Sequence, residues 1–125
     1  MIHGAAGVPD STVRLHLGGD ALNSSTLTGT AECVDVPAVS LQQIVHQRRF
    51  ARCALVCDIE GAELFLISNE LPTLKAHVEV LIVEFHPAIS GPSAVEDAHR
   101  LLGEHRFQQL WDEQNTFVFR NLALT

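Results

Sequence analysis

Five ionisable side chains stand at the ends of the two most apolar runs of this chain. Asp58, Glu60 and Glu63 follow Cys53-Ala54-Leu55-Val56-Cys57, in the order Asp-x-Glu-Gly-x-Glu. Glu84 and His86 close the run that begins at Val78. Carboxylates gathered with an imidazole can orient and deprotonate a hydroxyl, hold a polar ligand or ligate a divalent cation. A plainer use is also open: Asp58 could cap the helix that follows, with Glu60 and Glu63 offsetting its dipole. Gly61 directly after Glu60 points to close backbone approach or an unusual φ. Glu84 and His86 admit two uses in the same way, a base or ligand, or a hydrogen-bonded pair steadying a sheet edge.

Those side chains need elements to position them. Cys53 to Cys57 is apolar without a break, the pattern of a strand buried on both faces. Val78 to Phe85 is β-branched and almost wholly apolar, the clearest strand in the chain. Between them, Glu63 to Asn69 falls into helical phase, and Pro72 breaks or restarts that helix. A right-handed crossover places the two strands side by side and parallel. Asp58, Glu60, Glu84 and His86 then converge at the carboxyl ends of neighbouring strands, where open α/β sheets bind ligands.

The remaining elements fill out an α/β fold, expected as a mostly parallel open sheet with flanking helices in a single domain spanning residues 1–125. Thr12 to Leu17 and Glu32 to Val39 alternate like half-exposed strands, and Pro37 places the second at an edge or stands near its end. Gly18-Gly19-Asp20 closes the first, and Asn23 to Thr30 is a polar loop. Ser40 and Gln43 form a capping box for a helix with Leu41, Ile44 and Val45 inward. Ser93 and Glu96 offer another, with Val95, Ala98, Leu101 and Leu102 on one face of a helix that can end at Gly103. Phe107 and Trp111, at helical spacing, are expected in the core. Thr116 to Arg120 is a last strand.

Composition narrows the function. The 125 residues carry 15 acidic and 8 basic side chains, a formal charge of −7, which disfavours nucleic acid or an anionic membrane as partner. No apolar run approaches the ~20 residues of a membrane span. Cys53 and Cys57 lie roughly 13 Å apart on one strand face and cannot bridge. With Cys33 they suggest free thiols in a reducing, cytoplasmic compartment. Histidines 3, 16, 46, 77, 99 and 105 are scattered, with surface or capping roles expected. No paired His/Cys spacing supports a structural metal, and no P-loop, G-x-G-x-x-G or G-x-S-x-G is present.

Leu55 to Glu63, followed by Leu81-Ile82-Val83-Glu84-Phe85-His86-Pro87, resembles the second half of an FkbM-type, S-adenosylmethionine-dependent methyltransferase. Gly4-Ala5-Ala6-Gly7 resembles the end of that fold's third strand. Ser24-Ser25 and Val36 to Leu41 resemble the loop and strand that follow. The resemblance implies part of a class I (Rossmann-like) methyltransferase fold and S-adenosylmethionine as cofactor. It places Asp58, Glu60, Glu84 and His86 on the catalytic side, and Ala5, Ala6, Asp58 and Glu63 toward the cofactor. The fold's first strands, with their Gly-rich cofactor loop, have no counterpart before Met1, so weak or no cofactor binding by the isolated chain is expected. The strand at Cys53 would then be an open apolar edge, and pairing with a second copy or with a missing N-terminal half follows. Two alternatives remain beside a methyltransferase acting on a small molecule: a non-catalytic interaction module using that edge, and a metal-dependent phosphoester hydrolase built on the D-x-E.

Overall fold

A computed structural model describes residues 2, 4–9, 11–16 and 32–124. The expected turn at Gly18-Gly19-Asp20, the loop from Asn23 to Thr30 with its Ser24-Ser25 pair, and His3 lie outside the described residues.

The chain is mixed α/β, and its strands form two sheets where one was expected. The first has the order β1–β3–β2, from β1 (Ala5–Ala6), β2 (Thr12–His16) and β3 (Cys33–Val39). The second has the order β4–β5–β7–β6, from β4 (Cys53–Cys57), β5 (Val78–Glu84), β6 (Phe107–Glu113) and β7 (Thr116–Asn121). The helices are α1 (Leu41–Arg48), α2 (Glu63–Asn69), α3 (Leu71–His77), α4 (Pro87–Ser90) and α5 (Pro92–Glu104).

Neither sheet is mostly parallel. β1 runs parallel to β3 and β4 to β5, whereas the β2–β3, β5–β7 and β6–β7 pairs are antiparallel. The expectation holds at the crossover from β4 through α2 and α3 to β5. It fails at the C-terminal end, where β6 and β7 close as a hairpin that needs no crossover. β3 is the centre of its sheet, with Pro37 near its end, the second of the two placements expected. Its backbone alternates, the Ala38 amide donating to Ser11 on the β2 side and the Val39 carbonyl accepting from Gly7 on the β1 side. Pro37 therefore turns its donor-less nitrogen toward the two-residue β1, where a lost ladder bond costs little. Gly4, just before β1, is also a packing requirement: a Cβ there would lie 2.7 Å from the Pro37 carbonyl oxygen.

One face of the second sheet is the core. Leu55 pairs with Leu81 and Cys57 with Val83, and these continue into Phe119 and Phe117 across β7. Ile67, Leu74, Ala98 and Leu102 pack on the same cluster from α2, α3 and α5. β4 differs from its expected burial on both faces. It alternates, and Val56 on the far face is 70% exposed. β4 is the sheet edge, and the helix residues Ile67, Leu74, Ala98 and Leu102 pack on the core face instead. Trp111 is also exposed, against expectation. A bulge between Gln109 and Trp111 breaks the alternation, so that Trp111 pairs with Val118 on the face opposite Phe119.

Local signals explain most boundaries. Ser40 and Gln43 form the expected capping box of α1. Glu70 adds to it from the α2–α3 junction, its carboxylate accepting from the amides of Leu41 at 2.8 Å and Gln42 at 3.3 Å. The second expected box is not used. Ser93 lies inside α5, which starts at Pro92 behind Gly91 at φ 86°, because proline pre-sets the first helical φ. At the other end α5 runs through Gly103 to Glu104, with His105 as its cap.

His99 is not a surface histidine. Its ring lies 4.4 Å from that of Phe117 and 5.4 Å from those of Phe85 and Phe119. Burial lowers its pKa, opposed only by the charge of Asp112. A histidine held neutral in the fold contributes its full stability above its unfolded pKa of about 6.5, and loses it as pH falls through the depressed folded value. A His99→Phe variant is accordingly expected to lose less melting temperature than the parent between neutral pH and pH 5, as read by circular dichroism.

Candidate functional site

The parallel pair β4–β5 ends in a notch. β4 stops at Cys57, and the chain turns back through Ile59-Glu60-Gly61-Ala62. Glu60 has φ 53° and Gly61 φ 100°, and the Ala62 amide bonds to the Ile59 carbonyl. Two consecutive positive φ values are what a type I′ turn requires, and they account for the glycine. β5 ends at Glu84. Phe85 is anchored by its amide to the Asn115 carbonyl, and the His86 carbonyl accepts from the Ile89 and Ser90 amides of α4. Pro87, at the first position of that helix, fixes the chain direction out of His86.

Glu63 is the hub. Its side chain is 1% exposed, and Oε1 accepts from the amides of Ile59 at 3.2 Å and Gly61 at 3.1 Å. The same oxygen lies 2.9 Å from His86 Nδ1. Glu63 Oε2 is buried with no hydrogen-bond partner among the described residues. With Nδ1 engaged by the carboxylate, the neutral imidazole carries its proton there and presents Nε2. Nε2 lies 3.5 Å from Asp58 Oδ1 and 3.6 Å from Glu60 Oε2. Burial lowers the His86 pKa, but the Glu63 hydrogen bond and the charges of Glu63, Glu60 and Asp58 outweigh it and hold the pKa above the ordinary histidine value. Beneath the notch, burial and the charges of Glu63 and Asp58 push the Cys57 thiol up to about 12, so Cys57 is core and not a nucleophile.

The structure thus brings Asp58, Glu60, Glu63 and His86 together. Capping does not explain Asp58: the cap position of α2 is Ala62, with no side-chain bond to the helix. Glu84 shares the sheet end but is exposed, opposite Thr116 of β7, and among the described residues no hydrogen bond or ion pair joins it to the notch. Ala5 and Ala6 are partly buried in β1. Ala6 lines a mostly apolar groove of about 330 Å³ together with Val8, Val13, Gly61, Ala62 and Phe65. A second hollow of about 210 Å³ adjoins it, running from Ala6 to Ser40 and Glu70. The sequence reading assigned Glu63 to the helix dipole or the cofactor side. Its bond to His86 crosses 23 positions and left no local signal.

Among the described residues no helix is long and apolar enough to cross a membrane. Comparison with protein-family models, with characterised proteins and with solved structures finds no match to this chain.

Proposed function

We propose that this chain is a methyltransferase-like domain, similar to the S-adenosylmethionine-dependent O-methyltransferases of the FkbM type, with its acceptor site in the notch at the ends of β4 and β5. The observation that supports the reading is the groove in which Ala6 meets Gly61, Ala62 and Phe65. Of the residues that the resemblance assigns to one crevice, Ala6 lines this cavity, facing Gly61, Ala62 and Phe65 on either side of Glu63, and the cavity is at the lower end of the size of small-molecule sites. S-adenosylmethionine, when bound, supplies an electrophilic methyl group. The chain's own part is to place the acceptor. His86 Nε2, with Asp58 and Glu60 beside it, is set to hold a hydroxyl and take its proton. Glu63 is a positioning residue that fixes the imidazole. Glu84 stands at the rim. Calorimetry tests the reading: S-adenosylmethionine should bind weakly, near millimolar, and Asp58→Ala should remove the heat. Absence of binding by the parent chain at saturating cofactor would count against it.

A second feature favours association as part of the function. β4 is a sheet edge, and the face beyond it carries an apolar row, Val56, Ile82, Val118 and Trp111, joined strand to strand by the pairing register. Val56 is 70% and Trp111 48% exposed. Such an edge and face are covered when another segment pairs with β4, from a second copy or from the half that would carry the cofactor loop.

A further inference from the structure

We propose that Asp58, Glu60 and His86 form a divalent-cation site of the zinc class, with Glu63 as the buried carboxylate that orients its histidine. The donor set is one imidazole nitrogen and two carboxylate oxygens, and one atom from each lies within 4.8 Å of the others. The separations suit a shared ion better than direct bonds. Nε2 is 3.5 Å from Asp58 Oδ1 and 3.6 Å from Glu60 Oε2, beyond the usual N–H···O distance. Two atoms that each stand about 2.0–2.1 Å from a tetrahedral ion are separated by roughly 3.3–3.4 Å.

Glu63 supplies an independent observation. Its side chain is 1% exposed, and Oε2 is buried without a donor among the described residues. A carboxylate held out of water with an unsatisfied oxygen is costly unless positive charge lies close by. A dication on Nε2 provides that charge through the imidazole, and it strengthens the Nδ1–H bond to Glu63. This carboxylate–histidine–metal order is how metal-binding imidazoles are commonly held. Asp58, 56% exposed, leaves one side of the site open to water or a substrate oxygen. The nitrogen donor selects against calcium, which takes oxygen donors, and magnesium seeks six near-octahedral oxygens.

The cation would use the same side chains as the methyltransferase reading and compete with it, because a metal on Nε2 occupies the lone pair that would take the acceptor's proton. Zinc binding and cofactor binding are separate measurements, so the failure of one is distinguishable from the failure of the other. The test is calorimetric titration of the chelator-stripped full chain with Zn²⁺, with Mg²⁺ as competitor. One equivalent should bind, unaffected by Mg²⁺. His86→Gln and Glu60→Gln should each weaken binding at least tenfold, and Glu63→Gln by about 10–100-fold although it does not touch the ion. Zinc affinity unchanged in His86→Gln would overturn the proposal. Because the Glu63 variant could fold poorly, the parent chain gives a second readout. Mn²⁺ should broaden amide resonances first around Asp58–Glu63 and His86. Broadening centred on the exposed Cys33 or on the other histidines would overturn the proposal as well.

Discussion

Replacing Asn121 with leucine is expected to cost about 3 kcal/mol of folding stability, measured by urea denaturation. Asn121 is wholly buried at the end of β7. Its amide nitrogen donates to the carbonyls of Leu74 at 3.3 Å, Lys75 at 3.1 Å and Val78 at 3.0 Å. Its carbonyl oxygen accepts from the Ala123 amide at 3.0 Å. One side chain therefore ties the end of α3, the start of β5 and the C-terminal turn. Leucine fills a similar volume, so the loss isolates the hydrogen bonds from the packing. The Leu74 carbonyl keeps the Val78 amide, whereas orphaning a buried carbonyl costs roughly 1–3 kcal/mol before relaxation, a large share of a stability of about 5–15 kcal/mol. A change below 0.5 kcal/mol would show that these bonds are not what closes the second sheet.

The second large effect is expected at the open edge. The parent chain should self-associate, and Val56→Lys should weaken the association at least tenfold in sedimentation equilibrium, about 1.4 kcal/mol. Val56 makes little intramolecular contact at 70% exposure, so lysine there should leave the melting temperature nearly unchanged. Charge on an exposed strand is also a recognised guard against edge pairing. A parent chain that stays monomeric at high concentration would remove the β4 edge as an interface.

The site was more legible in the sequence than the sheets were. Two apolar runs of strand length, each ending in ionisable residues, were enough to place Asp58, Glu60 and His86 at one sheet end, because a crossover connection leaves little choice of hand or order. Gly61 announced its positive φ. The burial of β4 was misjudged because an unbroken apolar run looks the same whether both faces are covered or one is left bare. The role of Glu63 could not be read, since a carboxylate at the start of a helix is so often a dipole partner. His99 sits in its cage because Phe85, just past the end of β5, meets Phe117 and Phe119 of β7, which no local pattern reports. The bulge after Gln109 similarly leaves no mark in composition, yet it alone decides which face carries Trp111. The start of α5 was available from Gly91-Pro92 and was masked by the competing Ser93–Glu96 signal. Glu70 at the head of α1 acts from 29 positions away, beyond any capping rule.

The most direct test of the central claim is a titration of the ¹⁵N-labelled chain with S-adenosylmethionine, followed by amide chemical shifts. Saturable shifts confined to Ala6, Gly7 and the Asp58–Phe65 segment are expected, with their loss in Asp58→Ala. Shifts that gather on β6 and β7 instead, or none at saturating cofactor, would contradict it.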